Sequence, residues 1–281
     1  MKTLYVSDLD GTLLNSNTAL SDTTVKTINA LVEEGMEFTF ATARSITSAS
    51  LVSRGLHLRT PLIVYNGVYL LDPDSHDILY SHSFTRQDAQ DILNYLLRHD
   101  MIPFVYSYID GRERVSYMEE GMHEGGKYYM ESRPYDKRFR KVDTTEQLLE
   151  GDVFYFTCIH DGSFLKPMYE YLEETTDYVI VFQQELYREE YWLEVMPRGV
   201  SKAQAILELK EKGGYDRVIS FGDAINDLPM FQISDECYAV GNAIEELKNT
   251  ATAVIGDHDA DAVAMWLKEN YQKKAGGSAS V

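Results

Sequence analysis

Positive charge is scarce in this 281-residue chain. Lysine and arginine number 26 against 45 aspartates and glutamates, a formal net charge of −19. A nucleic-acid groove or a face for anionic lipid needs clustered cations, so the shortage argues against both. It does not argue against a phosphorylated small molecule, for which a metal ion and a few local cations suffice. Cysteine is nearly absent too. Cys158 and Cys237 lie far apart in apolar, strand-like runs and read as buried free thiols, not a bridge. No apolar run approaches the roughly 20 residues of a membrane span. Met1-Lys2 leads straight into a strand, so no leader is expected and a cytoplasmic place is. The histidines (57, 76, 82, 99, 123, 160 and 258) are scattered without metal-ligand spacing, and zinc is not expected. No internal repeat is found.

What is present is a globular composition, 44% hydrophobic and 25% charged, enough to bury a core without disulfide or metal staples. The first third alternates strand and helix. "TLYVS" is a short apolar strand. Val25, Ile28, Leu31 and Val32 share one face of a helix stopped by Gly35. "EFTFA", helix "SITSASLVSRG" and a third strand "PLIVYNG" follow. This βαβαβ rhythm predicts a doubly wound, mostly parallel Rossmann-like α/β sheet. From about Ser83 the rhythm changes to directly joined strands, "IPFVYSYI" with "ERVSYM" and "DYVIVFQ" with "EEYWLEVM". Such pairs predict an inserted, antiparallel α+β module. After Pro197 the βα rhythm resumes. The expected organisation is a discontinuous core over 1–82 and 197–270, a cap over 83–196, and a small, polar, disordered tail over 271–281.

In a doubly wound sheet, ligands bind beyond the carboxyl ends of the strands. Those ends carry unusual residues here. "VSDLDGTLLN" puts Asp8 and Asp10 after the first strand, where contact between like charges costs about 4 kcal/mol at an effective dielectric near 20. "ATAR" puts Thr42, Ala43 and Arg44 after the second. "RGVSK" puts Lys202 at the re-entry helix, and "GDAIND" puts Asp223, Asn226 and Asp227 after a later strand. Carboxylates at several strand ends, with one lysine and one threonine, describe a site for a divalent cation and a phosphate. Mg²⁺ takes hard oxygen ligands, few of them from protein. Asp8, Asp223 and a backbone carbonyl near Asp10 can supply these, and the ion offsets the carboxylate repulsion. Lys202 and Thr42 can hold phosphate oxygens as charge develops. Asp8 can attack phosphorus, and Asp10 can protonate the leaving alkoxide and later deprotonate water. Gly11 lets the backbone turn sharply beside the ligand.

"DLDGTL", "FATAR", the lysine of "GVSK" and "FGDAINDLPMF" resemble the four motifs of the haloacid dehalogenase superfamily. The long insertion, "PLIVYNG" and "AVGNAIEELKNTA" resemble its Cof-type sugar-phosphate phosphatases with an α/β cap. The resemblance covers essentially the whole chain except the tail. It implies Asp8 as nucleophile, Asp10 as general acid/base, Thr42 and Lys202 as phosphate clamps and Asp223 as metal ligand. It gives Asn226 a phosphate-side contact, and Asp227 the orienting of Lys202 or of a metal-bound water. Asn66 reads as a hairpin turn beside the site. Two positions depart from the family pattern, Ala43 and Ala262, where glycine is usual or frequent. The expected activity is Mg²⁺-dependent hydrolysis of small phosphorylated metabolites by a monomer. The alternatives are phosphotransfer between hydroxyls, as in a phosphomutase, and a non-catalytic phospho-receiver or metabolite sensor. Asp10 speaks against the last, because a receiver needs no acid two residues after the phosphorylated aspartate.

Overall fold

A computed structural model describes residues 1–184 and 188–275, and divides into two compact units, Met1–Ser81 with the chain from Ser201 onward, and His82–Val200. The first unit opens with β1 (Thr3–Ser7), α1 (Asp22–Glu33), β2 (Glu37–Phe40), α2 (Ile46–Val52), β3 (Leu62–Val64), β4 (Tyr69–Leu71) and β5 (Ile78–Ser81). The second unit holds α3 (Arg86–Arg98), β6 (Phe104–Ile109), β7 (Arg112–Tyr117), α4 (Glu124–Glu131), β8 (Phe139–Lys141), α5 (Thr145–Leu148), β9 (Asp152–Asp161), α6 (Gly162–Thr175), β10 (Val179–Gln184) and β11 (Glu190–Met196). The chain then returns with α7 (Lys202–Gly213), β12 (Arg217–Gly222), α8 (Leu228–Ile233), β13 (Glu236–Ala239), α9 (Glu245–Thr250), β14 (Ala253–Val254) and α10 (Ala262–Ala275).

The first unit is built on a five-stranded sheet in the order β14-β13-β12-β1-β2, with parallel pairing throughout. β1 and β12 are central and buried on both faces, which is why "LYV" is a continuous apolar run and "VISF" is broken only by the buried Ser220. Helices begin where the sequence supplies caps. Ser21 Oγ accepts from Thr24 N at the start of α1, and Ser201 Oγ from Gln204 N at the start of α7.

"PLIVYNG" is not a further strand of the parallel sheet. β3 belongs to a separate antiparallel sheet, β3-β4-β5, and touches β2's end through one parallel bridge, Ala41 to Ile63. The chain cannot run straight on because Tyr65 and Asn66 both take positive φ, 50° and 53°, and reverse it.

The second unit is a six-stranded sheet, β10-β11-β9-β6-β7-β8, antiparallel except for β7 with β8. Ala89, Ile92, Leu93 and Leu96 recur at helical spacing along α3. They bury against Val105, Phe156, Cys158, Leu193 and Val195 together with Leu165, Met168 and Leu172 of α6. Both thiols are buried and free. α10 runs to Ala275, so the first part of the expected 271–281 tail is helical. Tyr271 packs edge-on against Tyr5 of β1 with centroids 6.0 Å apart, a contact that carries the helix onward. Residues 276–281 lie outside the described residues. No helix among the described residues is long and apolar enough to cross a membrane.

Candidate active site

β1 ends at Ser7, and Asp8 continues its pairing by donating its N–H to Phe221 O of β12 (2.9 Å). The chain then turns on Asp10 (φ −72°, ψ 126°) and Gly11 (φ 71°, ψ 0°), the dihedrals of a type II turn, which demands positive φ at its third residue. Gly11 is needed for a second reason. A Cβ there would lie 2.3 Å from Asp223 Oδ2. The turn therefore brings the loop after β1 against the carboxylate that follows β12.

Lys202 is the first residue of α7, and its side chain is fully buried, 0% exposed. Its ammonium donates to Asp8 Oδ1 at 2.5 Å and to Asp227 Oδ1 at 2.7 Å. Asp227 Oδ2 in turn accepts from the N–H groups of Asp223 (3.0 Å) and Ala224 (3.1 Å). Both Asp227 oxygens are thus committed to holding Lys202 and the loop after β12. Thr12 donates its hydroxyl to Asp223 Oδ1 at 3.0 Å. Oxygens of Asp8, Asp223 and Asp227 lie within 4.8 Å of one another. One lysine thus faces three carboxylates. Burial pushes Asp8 up to about 7, with Asp227 and Asp223 adding to the rise and Lys202 opposing it. Burial also raises Asp223, to about 6. Burial pulls Lys202 down, but its two carboxylate partners overcome that and leave it firmly protonated.

These residues fit a divalent cation. Asp8 and Asp223 each keep one oxygen, Oδ2, without a protein donor among the described residues, and the hollow in front of Asp223 Oδ2 is one that a Cβ at position 11 would fill. Hard carboxylate oxygens and excess negative charge suit Mg²⁺ better than a soft metal.

Asp10 points elsewhere. Its carboxylate is clasped by Arg44, Nε to Oδ2 at 2.6 Å and Nη2 to Oδ1 at 2.5 Å, while Arg44 Nη1 donates to Ser48 Oγ at 2.8 Å. Thr42 is buried after β2. Its carbonyl accepts from Asn66 N (2.8 Å), and its hydroxyl accepts from Arg44 N (3.1 Å). Ala43 is exposed and has no positive φ, so glycine is not required there. Asn66 lies next to Gly67, which abuts the Ser201 carbonyl before Lys202, and its buried Oδ1 has no hydrogen-bond partner. Asn226 is exposed in the turn Ile225–Asp227. Ala262 is the buried first residue of α10.

Two contributors carry no role in the sequence reading. Thr12 stands in the quoted "DLDGTL", and Asn242 in the quoted "AVGNAIEELKNTA". Asn242 Nδ2 donates to Gly11 O at 2.7 Å, and its Oδ1 accepts from His258 N at 3.3 Å, so it holds the catalytic turn from the far end of the chain.

The profile of the haloacid dehalogenase-like hydrolases matches residues 5–267 of this sequence. The chain belongs to that family. Like other haloacid dehalogenase-like hydrolases it resembles, it is a phosphoric monoester hydrolase. It is 24% identical over 277 residues to the 5-amino-6-(5-phospho-D-ribitylamino)uracil phosphatase YitU of Bacillus subtilis, covering 95% of this chain and 97% of that one. It is 24% identical over 264 residues to the pyridoxal phosphate phosphatase YbhA of Escherichia coli, covering 92% and 95%. A crystal structure from Thermotoga maritima superposes with a TM-score of 0.77 at 26% identity, over 96% of this chain and 97% of that one. A haloacid dehalogenase-like hydrolase from Bacteroides thetaiotaomicron has the same fold, TM-score 0.77 at 23% identity, over 96% and 99%.

The histidines are less scattered than their spacing indicates. His123, His160 and Asp161 bring ligand-type atoms within 4.8 Å in the second unit. The two rings stack, however, 3.9 Å apart and 31° from parallel, and both Nδ1 atoms already accept backbone N–H bonds. "DHDADA" closes a loop: Asp259 accepts from Ser16 N (2.7 Å) and Oγ (2.6 Å), and Asp261 from Ser21 (2.6 Å) and Thr24 (2.9 Å) hydroxyls.

Proposed function

We propose that this hydrolase removes phosphate from small phosphorylated metabolites through an aspartyl-phosphate on Asp8, assisted by Mg²⁺. The observation that carries the reading is the buried Asp8–Lys202–Asp227 chain beside Asp223. Asp227 fixes the lysine, the lysine fixes one oxygen of Asp8, and the other oxygen remains as nucleophile. Asp223, with the Asp8 oxygen that does not attack, would hold the cation, which when bound neutralises charge on the phosphate and draws it to the site. Asp8 Oδ2 attacks phosphorus, and the bond to the leaving oxygen breaks. Asp10, released from Arg44 and in its acid form, gives that oxygen a proton, then takes one back from the water that attacks the phosphorus and regenerates Asp8. The amide N–H of Ala43, Thr42 and Lys202 serve the transferring oxygens, and Asn226 stands at the rim for the same group.

Arg44 fits this sequence as a phosphate contact that holds Asp10 beforehand. A phosphate dianion competes with the Asp10 carboxylate for the same fork of N–H donors, so substrate entry frees Asp10 as it binds Arg44. The names of YitU and YbhA support small phosphorylated metabolites as the substrate class, with sugar phosphates also in view. Phosphate release from p-nitrophenyl phosphate and a metabolite panel, with and without MgCl₂, tests the reading. Activity should require Mg²⁺ and vanish in Asp8→Asn. Full activity in that variant would overturn the assignment.

A further inference from the structure

The second unit contains a cavity of about 360 Å³ that none of the residues assigned above lines. Its walls include Tyr128, Tyr129, Arg133, Arg188, Glu190 and Trp192. Their charges are unequal. Arg188 is bidentate on Glu190, Nε to Oε2 at 2.9 Å and Nη2 to Oε1 at 2.5 Å, so each neutralises the other and both Glu190 oxygens are occupied. Arg133 makes no hydrogen bond to a carboxylate among the described residues, and the carboxylate whose charge it feels, Asp136, is bidentate on Arg138. Its guanidinium lies 4.3 Å above the Tyr129 ring, and Nη1 is anchored on Tyr129 O (3.1 Å) and Ser132 Oγ (2.8 Å). Trp192 stands edge-on to Tyr129, centroids 5.2 Å apart and planes at 89°. Arg188 caps Tyr128 in the same way, 4.3 Å above its ring. A pre-positioned cation with no carboxylate hydrogen-bonded to it is unusual in a chain of net charge −19.

The chemistry selects a ligand. Aromatic rings and planar guanidinium groups favour a flat partner, and a fixed arginine with no carboxylate hydrogen-bonded to it favours an anion. A polyol is disfavoured, because the one carboxylate that could accept its hydroxyls is already filled by Arg188. The volume stands at the small end of ligand pockets, which run from about 300 to 1,000 Å³. We propose that this cavity binds a flat aromatic or heteroaromatic anion of one or two fused rings. The ring lies among Trp192 and the guanidinium-capped tyrosines, and its acidic group lies on Arg133. Such a molecule is a ligand of the second unit.

The chain has two tryptophans, Trp192 and Trp266, so its spectrum holds two indole N–H signals, which Trp266→Phe assigns. The whole protein is titrated with 2-naphthoate, with 2-naphthamide (flat, neutral) and with decahydro-2-naphthoate (anionic, not flat). 2-Naphthoate should shift the Trp192 signal saturably. The other two should bind at least about fivefold more weakly, and the exposed Arg133→Gln substitution should weaken 2-naphthoate about tenfold or more, some 1.4 kcal/mol. A Trp192 signal that does not saturate by about 10 mM overturns the proposal, as does equal binding of the saturated acid or indifference to Arg133→Gln. Once binding is established, its effect on p-nitrophenyl phosphate hydrolysis names the source. Competitive inhibition marks a substrate-like ligand, and any other pattern marks an effector. The binding test needs no turnover, so it stands or falls apart from the catalytic reading.

Discussion

Replacing Lys202 with methionine keeps most of the side-chain volume and removes the ammonium that, alone among the described residues, faces Asp8, Asp227 and Asp223. At 2.5 and 2.7 Å each carboxylate attracts that ammonium by about 6 kcal/mol at an effective dielectric near 20. Desolvation of the three groups cancels much of this, and breaking such a buried pair by removing one partner costs about 3–5 kcal/mol net. The loss must depend on pH. A carboxyl whose folded pKa is raised above its unfolded value holds its proton more tightly when folded. Stability therefore falls as pH rises from the unfolded value, 3.8, through the folded ones, about 7 for Asp8 and about 6 for Asp223. Without Lys202 both folded values climb further and the fall steepens. Lys202→Met should thus lose about 3–5 kcal/mol at pH 8 and less than about 2 at pH 5. Urea unfolding with EDTA present reads this, using Trp266 fluorescence in a Trp192→Phe background. Trp266 reports on the first unit, because it packs against Phe221 and Tyr238, centroids 5.2 and 4.3 Å away. An equal loss at both pH values, or one under about 1 kcal/mol at pH 8, would refute the reasoning.

Gly11→Ala meets both a positive φ and a contact of 2.3 Å with Asp223 Oδ2. It should cost about 1–3 kcal/mol in a melting experiment and lower kcat at least about 100-fold, and a variant of near-normal kcat would contradict the turn's role. Arg44→Gln should raise KM about tenfold while kcat stays within about threefold, since the substitution removes a phosphate contact and releases Asp10. A collapse of kcat at constant KM would mean that Arg44 instead poises Asp10 for proton transfer. In the second unit burial pushes Glu194 up to about 7 from 4.5, against a hydrogen bond from Tyr155. That unit should therefore lose stability between pH 4.5 and 7, by at most about 3 kcal/mol, and Glu194→Gln should flatten the slope in a pH series of urea melts.

The turns at the strand ends were legible because they are local. An apolar strand that stops in Asp-Leu-Asp-Gly-Thr fixes its own turn, and a lysine one residue past a serine cap fixes its own place at a helix start. The two-unit organisation was legible from the change in strand spacing near residue 83, and the units found, 1–81 with 201 onward and 82–200, differ from the expected bounds by a few residues. What the sequence concealed depends on where long side chains travel. Nothing in "ATAR" says that Arg44 reaches back to Asp10, or that Asn242 crosses from residue 242 to the Gly11 carbonyl. The separate sheet of β3, β4 and β5 was hidden because "PLIVYNG" has the apolar run of a parallel strand, and its reversal rests on positive φ at Tyr65, a residue with no preference for it. β5, half-buried in alternation, carries too weak a signal to be read. The His123–His160 stack joins residues whose separation has no metal-binding pattern.

The central claim is that the side chain of Asp8 is phosphorylated during turnover. Enzyme quenched in acid while hydrolysing p-nitrophenyl phosphate with Mg²⁺, then reduced with borohydride, converts an aspartyl-phosphate to homoserine, which peptide mass spectrometry locates. The account predicts homoserine at position 8 in the wild type and none in Asp8→Asn. Homoserine at another aspartate, or none anywhere while turnover proceeds at full rate, would contradict it.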